Sequence, residues 1–228
     1  IAALDSLRAV VGSAENRGAA RRIAQAAVTL LRDERSLVPI HVGPPTLIVT
    51  YATELDIDAG RVFAAELAGL LKGARVVRIT PRTARPQLDS MVRPGERVIV
   101  STHVRTIEGA GRLSVAPSVA GWIDSLAATQ PVIVAAHGNP YVIREFPRVG
   151  SYLVTYGRGP ALEQAAARAV AGRAPITGRA PITLPGYFAR GDGLQRPFAA
   201  GSDDLDSDGT PTTASRFAAD TLARMLGD

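Results

Sequence analysis

The sequence predicts an α/β fold, a three-layer α/β/α sandwich around a mainly parallel sheet of about five or six strands. Short β-branched apolar runs, bounded by turn residues, alternate along the chain with segments of helical periodicity. This alternation is the order that builds a parallel sheet with helices on both faces. The apolar runs are nearly continuous rather than alternating, which is typical of strands that are covered on both sides.

Five segments are predicted to be strands, beginning with the run that follows Gly43-Pro44-Pro45. They are residues 46–51, 74–80, 97–103, 131–137 and 151–156. Helices are predicted between them at 59–72, 115–128 and 160–171, with a short turn at 86–91. Ahead of the sheet, residues 19–34 have apolar side chains at helical spacing and predict one amphipathic helix, with Ile23, Ala26, Ala27, Leu30 and Leu31 on one face.

The 228 residues divide into three predicted segments. Residues 1–40 form a helical lead-in, residues 41–198 the α/β sandwich domain, and residues 199–228 a flexible acidic linker with a last amphipathic helix. Because the sequence starts at Ile1 rather than Met, we expect it to be a piece of a longer protein.

Composition excludes several classes of function. Although the net charge is +5, Lys72 is the only lysine, and the arginines are scattered rather than clustered on one face. The preference for arginine over lysine suggests a GC-rich coding sequence. Because a nucleic-acid-binding surface would cluster its basic residues, no nucleic-acid partner is expected. No apolar run reaches the roughly 20 residues of a membrane span. The absence of cysteine excludes disulfides, thiol catalysis and Cys-ligated zinc.

Motifs for nucleotide binding and serine hydrolysis are absent, namely a P-loop, a G-x-G-x-x-G after a strand and a G-x-S-x-G elbow. Residues 204–209, "DLDSDG", match the opening of a calcium loop. Ser215 stands at the twelfth position, where a bidentate Glu is required, so the segment indicates an acidic linker. We therefore expect neither a metal nor a cofactor.

Four phrases, in this order, resemble the C-terminal domain of family-three glycoside hydrolases, which include β-N-acetylglucosaminidases and β-glucosidases. They are "ARRIAQAAVTLLRDERSLVPI", "PVIVAAHGNPYVIREFP", "SYLVTYGRGPALEQAAARAVAGRAPITGRAPITLPG" and "ARGDGL". The resemblance runs from about Ala19 to Leu194. It implies an α/β/α sandwich packed beside a (β/α)8 barrel that carries the nucleophilic aspartate.

No segment before Ala19 is long enough to be that barrel, and its "KHFPGHG" motif is absent. The resemblance therefore implies an accessory domain that covers the sugar site of a separate barrel, in cis or in trans, with a carbohydrate substrate. A non-catalytic binding or assembly module of the same fold is the alternative, and a standalone small-molecule-binding domain is a third. The sequence does not fix the cellular location. One interpretation is a bacterial protein that is exported or attached to the cell envelope.

Ligands of open α/β sheets bind at the carboxyl ends of the strands, which directs attention to the loop after residue 103. There His103, Arg105 and Glu108 could reach outwards together, with Gly109 and Gly111 allowing an exposed loop. Some family members deliver the acid/base carboxylate from an equivalent loop, so the resemblance makes Glu108 a candidate. Glu108 could equally be a solvated loop residue that packs against a neighbouring domain.

The next strand ends in "AHGNPY", which offers His137 and Asn139 as further contacts to a sugar hydroxyl. Alternatively, residues 138–140 form the turn into a short helix, with Asn139 satisfying backbone donors. The acids of "TELDID", residues 53–58, are predicted to cap the helix that begins near residue 59, because negative charge is favoured at a helix N-terminus.

Residues 172–177, "GRAPIT", are repeated at 178–183. Repeat proteins contain at least three whole structural units, so two copies of six residues predict two separate structural roles. In the first copy Gly172 is predicted to end the preceding helix and Pro175 to prevent its continuation. The second copy resembles the family's closing "GRLPVTLP" strand, and Pro181 restricts that strand to an edge or a strand start.

Overall fold

A computed structural model describes residues 11–41, 43–104 and 114–198 of the chain. Within these ranges it contains six strands, five α-helices and one 3₁₀ helix. They are α1 (Ala14–Ala27), β1 (Thr29–Asp33), β2 (Thr46–Ala52), α2 (Arg61–Leu70), β3 (Arg75–Ile79), α3 (Arg85–Met91), β4 (Arg97–His103), α4 (Pro117–Ala127), β5 (Val132–His137), the 3₁₀ helix (Pro140–Glu145), β6 (Ser151–Val154) and α5 (Pro160–Val170).

The strands form one sheet in the order β1-β6-β5-β4-β2-β3, in which β1 is antiparallel to β6 and every other neighbouring pair is parallel. One face packs on α3, α4 and the 3₁₀ helix, around the fully buried Trp122. The other face packs on α1, α2 and α5, around Phe63 and Leu67. The predicted three-layer α/β/α sandwich is confirmed.

The predicted helix at 19–34 is wrong in its second half. α1 ends at Ala27, and Thr29–Asp33 is a strand that pairs with β6. Leu30 is completely buried in the sheet, whereas Ile23, expected on the apolar face of a helix, is 70% exposed. Residues 29–33 pair with a strand more than 100 positions away, and this pairing outweighs their local helical periodicity. β1 thus joins the sheet, while the division into three segments otherwise stays a prediction.

β3 also differs from its prediction as a strand buried on both faces. Its burial alternates, and Val76 is 49% exposed. β3 is one of the two edges of the sheet and pairs only with β2. Edge strands face solvent along one side, so their apolar runs need not be covered on both faces.

The repeated hexapeptide performs two different roles, as predicted. Gly172 adopts a φ of 71° just after α5 and closes it, because its N–H donates to the carbonyl of Ala169. Gly178 instead lets two backbones approach closely, since a Cβ there would lie 2.4 Å from the carbonyl oxygen of Val28. The second copy, however, is not the expected strand. It leads into an isolated bridge between Leu184 and Phe188 rather than a ladder.

Candidate functional site

Two histidines meet at the carboxyl ends of the central strands. His103 is the last residue of β4 and His137 the last of β5, and the two are register partners. Their rings stack with centroids 4.5 Å apart and an interplanar angle of 10°. Phe63 of α2 meets the ring of His137 edge-on at 5.4 Å. Both side chains are interior, with each residue only 1% exposed.

Both imidazoles are neutral at physiological pH. Burial, with contributions from His137 and Arg158, lowers the pKa of His103 to about 2. Burial and the charge of Arg158 likewise lower the pKa of His137 to about 3. The 3.7 Å separation between His103 Nδ1 and Glu163 Oε1 is therefore not an ion pair, because the imidazole carries no charge.

Glu163, in the first turn of α5, caps the N-terminus of α2. The backbone N–H groups of Gly60, Val62 and Phe63 donate to its carboxylate at 3.1, 3.1 and 3.2 Å. A helix start leaves such N–H groups without intrahelical partners, and a carboxylate satisfies both the donors and the helix dipole. The N-cap residue of α2 is Gly60, which has no side chain to do this.

Glycine is required at position 60 because the backbone there lies directly against the buried histidine pair. Its φ is 76°, and a Cβ at this position would come within 2.4 Å of Thr50 Cγ2 and 2.8 Å of His103 Nε2. The prediction that the acids of residues 53–58 cap α2 is wrong as far as side chains are concerned. Capping comes from a carboxylate 100 residues further along the chain.

The acids of residues 53–58 are engaged in other contacts. Asp56 forms an ion pair with Arg158, and the side chain of Asp58 accepts from Arg61 at 3.0 Å. Arg78 donates to the carbonyls of Ala59 and Asp56, which fixes the backbone of the loop. An open cleft of about 800 Å³ lies beside this loop, between the starts of α2 and α5. Asp56, Arg158 and Glu163 all line it.

The side chains at this edge hold neighbouring elements together, and their contacts do not suit acid/base catalysis. Both oxygens of Glu163 accept backbone N–H groups. His137 Nδ1 lies 3.2 Å from Thr155 Oγ1, while His137 Nε2 and both nitrogens of His103 have no hydrogen-bond partner among the described residues. Within 11–41, 43–104 and 114–198, no group of three or more His, Asp and Glu side chains converges as a metal would require.

The structure brings together only part of the predicted site. His103 and His137 are adjacent but buried, so neither ring presents a surface to a sugar in this conformation. Asn139 Oδ1 accepts from the N–H of Tyr141 at 2.9 Å and caps the 3₁₀ helix, as the turn interpretation predicted. Arg105, Glu108 and the adjoining glycines lie outside the described residues.

A second ionisable group, which sequence reasoning missed, holds the start of α4. Glu145 Oε2 accepts from the N–H of Val115 at 2.9 Å, and Tyr51 Oη accepts from the N–H of Ala116 at the same distance. Burial raises the pKa of Glu145 to about 7, although the Val115 N–H opposes this rise. Its signal in the sequence is weak, because an acid in a short helix is commonplace.

Comparisons with known proteins support the fold. No family model and no curated protein matches the sequence. Among solved structures, a family-three β-N-acetylglucosaminidase from a Paenibacillus species is similar over 72% of this chain, with 18% identity and a TM-score of 0.57. A fungal multi-domain family-three β-N-acetylglucosaminidase matches 83% of this chain, with 21% identity and a TM-score of 0.63. A β-glucosidase from Listeria innocua matches 74%, with 16% identity and a TM-score of 0.56.

These likenesses confirm, at the level of fold, the resemblance to a domain of family-three glycoside hydrolases. The chain spans only 32%, 21% and 27% of the three matched structures. It therefore corresponds to one part of each of those proteins. Among the described residues, no helix has the length and apolar character needed to cross a membrane.

Proposed function

We propose that this chain is an accessory domain of a glycoside hydrolase that acts on β-linked N-acetylglucosamine or glucose. The supporting observation is the asymmetry of coverage. The described fold matches 72–83% of this chain but only 21–32% of the glycosidase chains that share it. The domain covers the sugar site of a (β/α)8 barrel, which is supplied in cis or in trans and carries the nucleophile.

The chemistry of the described edge supports this division of labour. Retaining hydrolysis needs two carboxyl groups on either side of one sugar, one of them protonated. The carboxylate of Glu163 is occupied by three N–H groups, and Asp56 is paired with Arg158. Both carboxylates are therefore already engaged in contacts within the domain. The nucleophile then comes from the barrel, and the proposed acid/base contribution of this chain is Glu108.

Hydrolysis of nitrophenyl β-N-acetylglucosaminide and nitrophenyl β-glucoside tests the proposal. We expect no turnover by the 228-residue chain alone and a gain of turnover when it is added to its barrel. Glu108→Ala should reduce kcat of the combined protein, whereas Glu34→Ala, at an exposed glutamate, serves as the control. Hydrolysis by the chain alone that is abolished by Glu108→Ala would contradict an accessory role.

The alternative is a non-catalytic binding or assembly module of the same fold, with which the engagement of the described carboxylates is equally consistent. In that case Glu108→Ala leaves kcat of the combined protein unchanged. Removal of residues 113–117 would then change association with the barrel while leaving the barrel's chemistry intact.

A further inference from the structure

Two aliphatic side chains project into solvent at the carboxyl edge of the sheet. Leu55 is 88% exposed and Ile57 69% exposed. They lie on either side of Asp56, in the loop of residues 53–58 that connects β2 to α2. Single exposed apolar residues are common on protein surfaces, so exposure alone says little about them. The informative feature is the loop that carries them.

The 53–58 loop is held in place by several independent contacts. The guanidinium of Arg78 donates to the carbonyl of Asp56, and Asp56 itself is paired with Arg158 from the loop before α5. Within the loop, the N–H of Asp56 donates to the carbonyl of Thr53 at 3.1 Å. The backbone that carries Leu55 and Ile57 is thus held in place by contacts within the domain. Such pre-organisation reduces the entropy that is lost on binding.

The charges around the two side chains limit what can bind there. The three acids of the loop pair with Arg82, Arg158 and Arg61, and Arg78 adds one further positive charge, so the net charge around the two side chains is +1. Anionic membranes and nucleic acids are bound by several basic residues in excess, whereas this rim has an excess of one. An apolar centre with a polar rim is typical of protein–protein contacts.

We infer that Leu55 and Ile57 are the docking contact of this domain, and that they insert into an apolar depression on the surface of the (β/α)8 barrel. The inference rests on the proposed function. Coverage supports it. The chain matches 21–32% of the three solved structures, so 68–79% of each of those proteins lies outside the matched fold and must meet it somewhere. It is also supported by position, since the loop borders the open cleft at the carboxyl edge.

Because the chain contains no cysteine, a single introduced thiol reports on one position. Leu55→Cys is compared with Val76→Cys, which replaces a 49% exposed residue on the edge strand β3. Maleimide labelling is measured on the chain alone and with its barrel, either in one polypeptide or as a purified partner from the same genome. We expect Cys at 55 to be protected by at least about tenfold when the barrel is present, and Cys at 76 to react equally in both.

An affinity measurement provides an independent test. The double variant Leu55→Ser/Ile57→Ser should weaken association with a separate barrel by at least about tenfold. In a single polypeptide it should increase labelling of a cysteine on the facing barrel surface. Val76→Ser, the matched control, should change neither by more than about twofold.

The possible results separate the two proposals. If the barrel binds and residue 55 is labelled as fast as in the free chain, the docking inference fails while the accessory function stands. If no barrel associates and turnover never appears, both fail. Protection of residue 55 by vesicles of anionic phospholipid, without protection by the barrel, would overturn the protein-docking assignment.

Discussion

Glu163 shows how much one side chain can connect within this fold. Its carboxylate lies in the first turn of α5, accepts from three N–H groups at the start of α2 and comes within 3.7 Å of Nδ1 of His103. Local sequence offers no sign of this role, because an acid near a helix start is normally assigned to its own helix. The two helices at the cleft are therefore joined through polar contacts as well as apolar packing.

Replacing this carboxylate should destabilise the fold more than replacing an exposed one. Glu163→Gln keeps the shape but loses the charge and one acceptor, so we expect the free energy of unfolding to fall by about 2 kcal/mol. Glu34→Gln, at a side chain that is 72% exposed, should change it by less than about 0.5 kcal/mol. Urea unfolding of both variants measures the difference, and equal values would contradict the capping role.

The buried histidines make stability depend on pH with a definite sign. Their pKa values of about 2 and 3 in the folded state lie below the ordinary value of 6.5, so the unfolded chain binds more protons. The free energy of unfolding is therefore highest, as far as these rings are concerned, above pH 6.5, and it falls as the pH drops from 6.5 towards 3. The decline is about 1.4 kcal/mol per pH unit for each ring.

Single substitutions of the two buried histidines isolate this effect. We expect His137→Asn to reduce the pH dependence of unfolding between pH 6.5 and 4, because one proton fewer is taken up on unfolding. His103→Asn should reduce it in the same way. An NMR titration offers a second measurement, in which the ring signals of His103 and His137 should not shift between pH 8 and 5.

At the scale of elements, the sequence predicted best what is locally encoded. Strands β2, β4 and β5 were found to within a residue, because continuous β-branched runs between turn residues have few other structures to adopt. β1 was missed because "TLLRD" follows α1 with no Gly or Pro between them, and Leu30 continues the helical spacing. Its partner, β6, is distant in sequence, and a single-sequence pattern cannot register that pairing.

The two glycines of the repeated hexapeptide should respond differently to substitution. Gly178→Ala places a methyl group about where Val28 and Thr29 already stand, so we expect a loss of more than about 2 kcal/mol. Gly172→Ala should cost about 1–2 kcal/mol, for the left-handed backbone that Gly tolerates and for a Cβ that would lie 3.0 Å from Cβ of Pro39. Thermal unfolding of each single variant compares them.

A glycine in open space provides the control for that comparison. Gly121 lies within α4, and nothing would come within 4 Å of an added Cβ. Gly121→Ala should therefore stabilise the protein by about 0.5–1 kcal/mol through helix propensity. If Gly178→Ala behaved in the same way, the close approach to Val28 would be disproved.

At the scale of the whole molecule, strand order predicts an order of local stability. β4 and β5 are interior strands paired on both sides, whereas β3 is an edge strand with alternating burial. Native-state hydrogen exchange should thus be slowest in β4 and β5 and clearly faster in β3, since edge strands open without disrupting the rest of the sheet. Equal protection in β3 and β4 would contradict this order.

One part of the site could be predicted from the sequence, and another part could not. The rule that ligands bind at the carboxyl ends of parallel strands led from sequence to His103 and His137. The rule cannot say whether such residues face outwards, because their burial depends on Phe63 of α2 and Glu163 of α5, which pack over the edge from elsewhere in the chain. Periodicity predicts elements, whereas the contents of a site depend on how those elements meet.

The reversed direction of β1 determines where α1 joins the sheet. Thr29 pairs with Val154 at the carboxyl end of β6, so the chain leaves α1 at the same edge that holds the histidines. Only Val28 separates α1 from β1, and its carbonyl accepts the N–H of Gly178 at 3.1 Å. Val28 is also completely buried in the core, so packing as well as this hydrogen bond fixes the junction. A displacement of α1 would therefore disturb the core and the carboxyl edge together rather than either one alone.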